Sequence, residues 1–365
     1  MNPFSAFSKA LAFVVFLGLY SVGAWGQSSP SSSAAPAAGA PNQGYANSKP
    51  DTKDSKASAG LFEDWDTLKI PDNIVYADPM PPLVSQFPGF TREFVQVTWR
   101  PWDIIDLYVV KPKGVKNPPV ILYLYSFPSD TDRFRGDEFA EAATRNGFAA
   151  VGFVSALTGH RFHDRPMKQW FVSELQEALG TSVHDVQLIL NYLDKRGDLD
   201  MTRVGMFGDG SGASIAIMAA SVDPRIKALD LFDPWGDWPD WIAYSKFIQI
   251  EDERTEYLKP EFLKKVENLD PVKYLPELKT QRVRVQYLDT DTVTPKPARL
   301  RMEAAAAAHA KLVHYANPKE FMKTVGQNGE MFDWLKQQLV PALATQGTGA
   351  GNAAQAASPV KASQH

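Results

Sequence analysis

The sequence predicts an α/β protein in which helices cover both faces of a mostly parallel sheet, and three observations support this. Apolar runs of strand length alternate with runs of helical periodicity between about residues 94 and 343. VILYLYSF at 120–127 and FAAVGFVS at 148–155 are apolar nearly throughout, which is typical of strands buried on both faces. The segment 173–197 carries an apolar stripe at helical spacing, formed by Val183, Val186, Ile189, Leu190 and Leu193.

Eight strands are predicted in this central part of the chain. The first two, at 94–99 and 103–112, are joined by a short Arg-Pro connection and predict an antiparallel pair at one edge of the sheet. The remaining six strands are predicted at 120–127, 148–155, 203–208, 226–233, 282–289 and 311–316. Helices are predicted at about 136–146, 173–197, 212–222, 296–310 and 330–343.

The first 26 residues have the pattern of a secretory signal. Lys9 precedes an apolar run over 11–23, and small residues precede Gln27. The alternative is an uncleaved membrane anchor, for which the apolar run is short. We therefore expect an exported protein, in the periplasm or outside the cell, with no stable membrane span after cleavage of residues 1–26.

The composition of both ends differs from that of the centre. Residues 27–58 and 345–365 are rich in Ser, Ala, Pro and Gly, which cannot bury enough apolar surface to fold, so we predict a disordered linker and a disordered tail. The folded domain is then expected at 59–344. Within it, 234–279 is longer than a simple crossover and predicts an inserted lid next to the binding crevice of the sheet.

Composition and charge exclude several classes of function. The chain has no cysteine, so it has neither a disulfide framework nor thiol chemistry. Its formal net charge of −4 argues against nucleic acid or an anionic membrane as a partner. A small-molecule or peptide ligand remains possible, and we predict no cofactor and no metal site. The oligomeric state is not predicted.

A glycine-rich stretch, GMFGDGSGAS at 205–214, follows one predicted strand and precedes a helix. This turn and the order of the eight strands resemble the α/β-hydrolase fold. Three further segments resemble the prolyl-oligopeptidase and dienelactone-hydrolase branch of that superfamily: the opening hairpin and next strand (99–126), the approach to the acid loop (268–295) and the closing helix (330–339). The resemblance implies a serine hydrolase, such as an esterase or peptidase, with a Ser-His-Asp triad.

The motif residues depart from that pattern at two of the three triad positions. In the family's G-x-S-x-G turn, Gly208 and Gly212 match the two glycines, so Gly210 stands at the nucleophile position. Ser211 falls one residue later, where the backbone N–H serves the oxyanion hole. Asp291 matches the acid, although it is equally explained as a cap of the helix that begins near Lys296.

The expected histidine is absent from the loop after the last strand, since 317–331 contains none. Tyr125, Ser126 and Phe127 replace the His-Gly of the oxyanion loop. The pattern therefore favours a catalytically degenerate pseudoenzyme that binds a ligand or partner in the former pocket. The alternative is an active esterase or peptidase in which Ser211 works with Asp291 or Asp209 and a non-standard histidine. The expected pocket residues are Tyr125, Ser126, Phe127, His160, His163, Asp209, Ser211 and Trp235.

Two other stretches have both a functional and a structural interpretation. In TGHRFHDRP at 158–166, the charged residues predict an anion or substrate site, a partial metal site, or a solvated loop whose arginines pair with carboxylates. His160 could also supply a base for Ser211.

In DPWGDWPDW at 233–241, three tryptophans predict either an aromatic ligand platform or packing of the lid on the core. His184, on a helix that packs on the sheet, is predicted to be structural.

Overall fold

A computed structural model describes residues 63–70, 79–100, 103–127, 129, 131–157, 161, 172–280, 282–326 and 330–340. The predicted signal (1–26), linker (27–58) and tail (345–365) lie outside the described residues, as do His160 and His163. The domain limits at 59 and 344 therefore stay predictions.

The described residues form one nine-stranded sheet with the strand order β1-β2-β3-β5-β4-β6-β7-β8-β9. The first three strands and the β3–β5 pair are antiparallel, whereas all pairs from β5 to β9 are parallel. The strands are β1 (Leu83–Gln86), β2 (Phe90–Arg100), β3 (Asp103–Pro112), β4 (Pro119–Leu124), β5 (Ala149–Phe153), β6 (Asp200–Asp209), β7 (Ile226–Phe232), β8 (Val283–Leu288) and β9 (Ala310–Tyr315). The predicted α/β class and the eight predicted strands are confirmed.

The ninth strand, β1, was not predicted. Its four residues, Leu83–Gln86, are all exposed and pair only with β2 at the edge of the sheet. Because a short strand with no buried face shows no alternation of apolar and polar residues, its sequence carries no usable signal.

The helices lie at α1 (Asp137–Thr144), α2 (Leu175–Arg196), α3 (Ser211–Val222), α4 (Trp238–Tyr244), α5 (Glu251–Tyr257), α6 (Pro260–Val266), α7 (Lys296–Ala306), α8 (Pro318–Phe321) and α9 (Glu330–Leu339). Two apolar clusters cover the two faces of the sheet, and β4 is buried over its whole length because it lies between them. In the described part of the chain, no helix combines the length and the apolar character needed to cross a membrane.

The predicted lid segment, 234–279, contains α4, α5, α6 and several 3₁₀ turns. One side chain, Asp270, accepts hydrogen bonds from the backbone N–H groups of Asp237 and Trp238 at 2.8 and 3.0 Å. Another, Arg254, donates to the carbonyl oxygens of Ile242, Ala243, Ser245 and Ile248. These contacts fix the start and the end of α4, so this part of the segment is held against the core.

Candidate functional site

The turn between β6 and α3 positions the candidate site. Gly210 occupies the turn with φ 53° and ψ −114°, a conformation that glycine adopts readily and other residues adopt only with strain. A Cβ on Gly208 would lie 2.4 Å from the Cα of Ala213, and one on Gly212 would lie 2.4 Å from the carbonyl oxygen of Leu124. The outer glycines are therefore required by close packing, and the turn has the frame in which Gly210 is central.

Ser211 is the first residue of α3 and is only 1% exposed. Its Oγ accepts a hydrogen bond from the backbone N–H of Phe127 at 3.0 Å. A serine nucleophile needs a base that removes its proton. Among the described residues, no histidine is hydrogen-bonded to Ser211. The Ser211 hydroxyl instead accepts a hydrogen bond from a backbone amide of the loop that follows β4.

The three described histidines have other surroundings. His184 is buried and its ring nitrogens lie 2.5 Å from a carboxylate oxygen of Glu63 and 2.6 Å from the carbonyl oxygen of Thr67, which confirms its structural role. His314, on β9, lies 3.1 Å from Asp289. His309 precedes β9. His160 and His163 lie outside the described residues, so a role for either of them in the pocket stays a prediction.

Ser126 fills the space next to the turn. A Cβ built on Gly210 would lie 2.3 Å from Ser126 Oγ and 3.0 Å from Trp235 Nε1. A serine at position 210 would therefore collide with the loop after β4 unless Ser126 moved. The region in which a nucleophilic side chain would stand is occupied by another residue of the same chain.

Two carboxyl groups around the turn, those of Asp209 and Asp233, have raised pKa values. Asp209 keeps some solvent exposure, but desolvation raises the pKa of its carboxyl to about 6, with Arg133 opposing and the charge of Asp291 adding to the shift. Burial and then the charge of Asp291 raise the pKa of Asp233 well above its usual value. Burial is therefore the main cause of both shifts, and the negative charge of Asp291 adds to each because like charges oppose ionisation of a neighbour.

Asp291 does not cap the helix that follows it. Its carboxylate oxygens accept hydrogen bonds from the backbone N–H groups of Val293 and Thr294, at 3.1 and 2.8 Å. The following helix, α7, begins at Lys296 and has no side-chain cap at its N-terminus. The helix-capping interpretation is therefore wrong, and Asp291 instead shapes the loop at the position that matches the triad acid.

The hydroxyl of Tyr125 is buried next to this group. Tyr125 is 8% exposed and its hydroxyl has no hydrogen-bond partner among the described residues. The guanidinium of Arg133 lies over the Tyr125 ring, 4.0 Å from its centre. Desolvation raises the pKa of Tyr125 above its usual value, so the hydroxyl stays protonated at neutral pH. Arg133 was not identified from the sequence, because a single arginine in a short 3₁₀ turn belongs to no motif.

The three tryptophans of 233–241 are packing residues. Trp235, Trp238 and Trp241 are 2%, 1% and 0% exposed, and they contact one another with ring centres 5.0 and 5.8 Å apart. Trp238 Nε1 donates to the carbonyl oxygen of Leu269 at 2.9 Å. The aromatic-platform interpretation is wrong, since no ring face is open to a ligand. Trp235 lies against Gly210 and does not line an open surface.

Arg161, from the stretch at 158–166, is also structural. It is 1% exposed, donates to Asp103 and Asp185 at 2.7 Å each and donates to the carbonyl oxygen of Val154 at 2.9 Å. Pairing with carboxylates was predicted, but in a solvated loop, whereas the observed pairs are buried. The rest of the stretch lies outside the described residues. In the part of the chain that is described, no cluster of three or more His, Asp or Glu side chains could hold a metal ion.

The strand order, the glycine turn after β6 and the acid loop after β8 together define the α/β-hydrolase fold, so the fold expected from the sequence is confirmed. Solved structures that share it include an acetyl xylan esterase from Paenibacillus sp. R4, with a TM-score of 0.55 and 16% identity over 68% of this chain and 88% of that chain. The S-formylglutathione hydrolase of Agrobacterium tumefaciens has a TM-score of 0.53 and 15% identity, covering 72% of this chain and 100% of that chain.

The acylaminoacyl peptidase of Pyrococcus horikoshii also matches, with a TM-score of 0.54 and 15% identity over 69% of this chain. The match covers 42% of the peptidase, so this chain spans less than half of that enzyme. No protein-family model and no curated protein sequence matches the chain. Identities this low show a shared fold, and a shared fold does not determine the reaction.

Proposed function

We propose that this chain is an exported protein of the α/β-hydrolase fold that has lost serine-hydrolase chemistry and binds a ligand or partner in the former active-site pocket. The observation that carries the proposal is the turn after β6, where Gly210 adopts a backbone conformation that would strain other residues and offers no reactive atom. The backbone geometry of the turn is kept without the side chain that the chemistry needs.

The neighbours of the turn support the same proposal. The Ser211 hydroxyl is bonded to the Phe127 N–H, which takes up a donor that an oxyanion would need. Ser126 occupies the space that a nucleophilic side chain at position 210 would need. The loop after β9 supplies no histidine to accept a proton, since 317–331 contains none.

The experiment is a hydrolysis assay on the full secreted chain with p-nitrophenyl acetate, acetylated xylan and an acyl-amino-acid amide. The polymer and the amide are chosen because acetyl xylan esterases and an acylaminoacyl peptidase share the fold. We expect wild type, Ser211→Ala and Ser126→Ala to give the same near-background rate.

A rate on any of the three substrates that falls at least tenfold in Ser211→Ala would refute the proposal. That result would support the alternative, an esterase or peptidase whose base comes from His160 or another histidine outside the described residues. His160→Ala and His163→Ala then identify the base, because only the variant that lacks it shares the loss.

A further inference from the structure

The segment 63–70, which we call the strap, lies along one face of α2. A Cβ on Gly180 would lie 2.7 Å from the Cβ of Trp65, so the helix has a glycine where the strap passes. His184 and Gln187 contact the strap further along, and Gln187 Nε2 donates to one of its carbonyl oxygens at 2.7 Å. The three helix residues are four and three positions apart, which places them on the same face. Specific contacts from one row of α2 residues therefore hold the strap.

Both ring nitrogens of His184 face acceptor oxygens of the strap. Nδ1 lies 2.5 Å from Glu63 Oε1, and Nε2 lies 2.6 Å from the carbonyl oxygen of Thr67. A carbonyl oxygen only accepts hydrogen bonds, so Nε2 carries a proton. The ring is 1% exposed, and an unmatched nitrogen in such a place would be unfavourable. Whether Nδ1 also carries a proton depends on whether Glu63 can donate one.

Glu63 has no proton to donate. Its Oε2 accepts from Arg100 Nε at 2.5 Å and its Oε1 accepts from Arg100 Nη2 at 2.7 Å, so the carboxylate is bound by both arms of one guanidinium. Burial raises the pKa of Glu63, but the hydrogen bonds from Arg100 and His184 outweigh it and lower the value to about 2. Glu63 is therefore ionised at neutral pH, and the proton between it and His184 belongs to the ring. With both nitrogens protonated, His184 is an imidazolium.

The charges joined to His184 balance only when the ring carries that extra proton. Hydrogen bonds and ion pairs connect the ring to a group of buried or half-buried charges formed by Glu63, Asp103, Asp185, Arg100 and Arg161. An imidazolium makes three positive groups against three carboxylates in this cluster. A neutral ring leaves one carboxylate without a counter-charge, which is unfavourable away from water.

The other charged side chains of the elements around His184 are further from the ring. Asp64, Asp66 and Lys69 of the strap are exposed. Glu177 stands two helical turns before His184 on α2 and is half-buried. On α6, the exposed Lys264 acts on Asp66. Among the described residues, only Glu63 and Thr67 are hydrogen-bonded to the ring nitrogens.

We propose that attachment of the strap to α2 depends on a proton: residues 63–70 stay in place while His184 carries two ring protons and detach when it loses one. Without the Nδ1 proton, a lone pair faces the Glu63 carboxylate, and without the Nε2 proton one faces the Thr67 carbonyl. A proton that favours the attached form stabilises it at low pH, and this stabilisation is lost as the pH rises through the titration of His184. The inference is independent of the proposed function, because it concerns none of the pocket residues.

The test follows the ring and the strap in the full chain, from about pH 6 to about pH 10. Nitrogen chemical shifts of isotope-labelled histidine rings report how many protons each ring carries, and His184→Gln identifies the signal of His184. Hydrogen exchange read by mass spectrometry gives protection factors for 63–70, corrected for the intrinsic dependence of exchange on pH. We expect the protection to fall at least ~10-fold as the pH rises through the titration of the ring, with the same midpoint in both measurements.

Glu63→Gln separates the proton from the rest of the contact. Its side-chain N–H can donate to Nδ1, so a neutral His184 satisfies both of its contacts. We expect the strap of this variant to be less protected than in wild type, because Arg100 loses a charged partner, but equally protected across the pH range. The variant also keeps the proposal testable if His184→Gln fails to fold. The matched control is His314→Gln, which removes a half-exposed histidine of β9 at the opposite edge of the sheet and should keep the wild-type profile.

Three results would overturn the proposal. One is a His184 ring that carries a single proton while 63–70 is protected in wild type. Another is a strap whose protection is the same on both sides of the titration of the ring. The third is a Glu63→Gln variant that keeps the wild-type dependence on pH. None of these results bears on the proposed function, which the hydrolysis assay tests separately.

Discussion

At the turn after β6, the identity of one residue decides the chemistry. A glycine at position 210 tolerates the positive φ without strain, but it carries no hydroxyl. Two neighbouring hydroxyls have other roles: Ser211 Oγ accepts a hydrogen bond from the Phe127 N–H, and Ser126 Oγ occupies the space that a side chain at position 210 would need. The three residues are therefore mutually adapted, and restoring one reactive atom would disturb the others.

Gly210→Ala should consequently destabilise the fold. The positive φ would cost an alanine about 1–3 kcal/mol of backbone strain, and its Cβ would lie 2.3 Å from Ser126 Oγ. The free energy of unfolding, measured by denaturant titration, should fall by at least ~2 kcal/mol. Gly89→Ala is the matched control, since a Cβ there meets nothing within 4 Å, and Gly210→Ala/Ser126→Gly should recover part of the loss. Equal stability of the Gly89 and Gly210 variants would show that the turn is not strained.

The sequence was sufficient to predict the frame of this turn, because Gly208, Gly210 and Gly212 have the spacing that close packing demands. It was not sufficient to predict that Ser126 fills the nucleophile's space. That contact joins the loop after β4 to the turn after β6, and it depends on the register of the two strands. A tertiary contact of this kind leaves no local pattern.

At the scale of the elements, the packing of α9 on α1 depends on a buried lysine. Lys336 of α9 is 2% exposed, and its Nζ donates to the carbonyl oxygens of Ala142 and Arg145 at 3.2 and 2.6 Å. These carbonyls lie at the C-terminal end of α1, where backbone acceptors have no partner within the helix and a positive charge is favoured. One side chain thus connects the last helix of the domain to the first.

This lysine predicts a rise of stability at alkaline pH. Burial lowers the pKa of Lys336 from 10.5 to about 8. Between these two values the unfolded chain keeps the proton and the folded chain has lost it, so the free energy of unfolding increases with pH. Relative to Lys336→Met, the wild type should gain ~3 kcal/mol across this range in denaturant titrations. Parallel pH profiles of the two proteins would contradict the assignment.

The elements themselves were largely predictable, and the exceptions have physical causes. Helix α2 was predicted at 173–197 and lies at Leu175–Arg196, because its apolar stripe is long and Gly197 ends it in a left-handed conformation. Strand β1 was missed because all four residues are exposed. For Arg161 the sequence left both an anion site and a solvated loop open, and it did not predict burial, since a charged stretch has the same pattern whether its partners are water or buried carboxylates.

At the scale of the whole molecule, buried charges join parts of the chain that are far apart in sequence. Arg161 and Arg100 share Asp103 and Asp185 across the β2–β3 hairpin and α2, and Arg100 also binds Glu63. The pKa of Glu63 falls to about 2: burial alone would raise it, but the hydrogen bonds from Arg100 and His184 outweigh that effect. The network therefore fixes the segment at 63–70 on the domain and supports the sheet whose strand ends form the candidate site.

The central claim is that the fold keeps the geometry of a hydrolase turn without its nucleophile, and covalent labelling tests this claim most directly. The full chain would be incubated with a fluorophosphonate, which reacts with activated serines, and its mass would be measured before and after proteolysis. The account predicts no stoichiometric adduct on the peptides that contain Ser126 or Ser211. A one-to-one adduct on Ser211 that is lost in Ser211→Ala would contradict it.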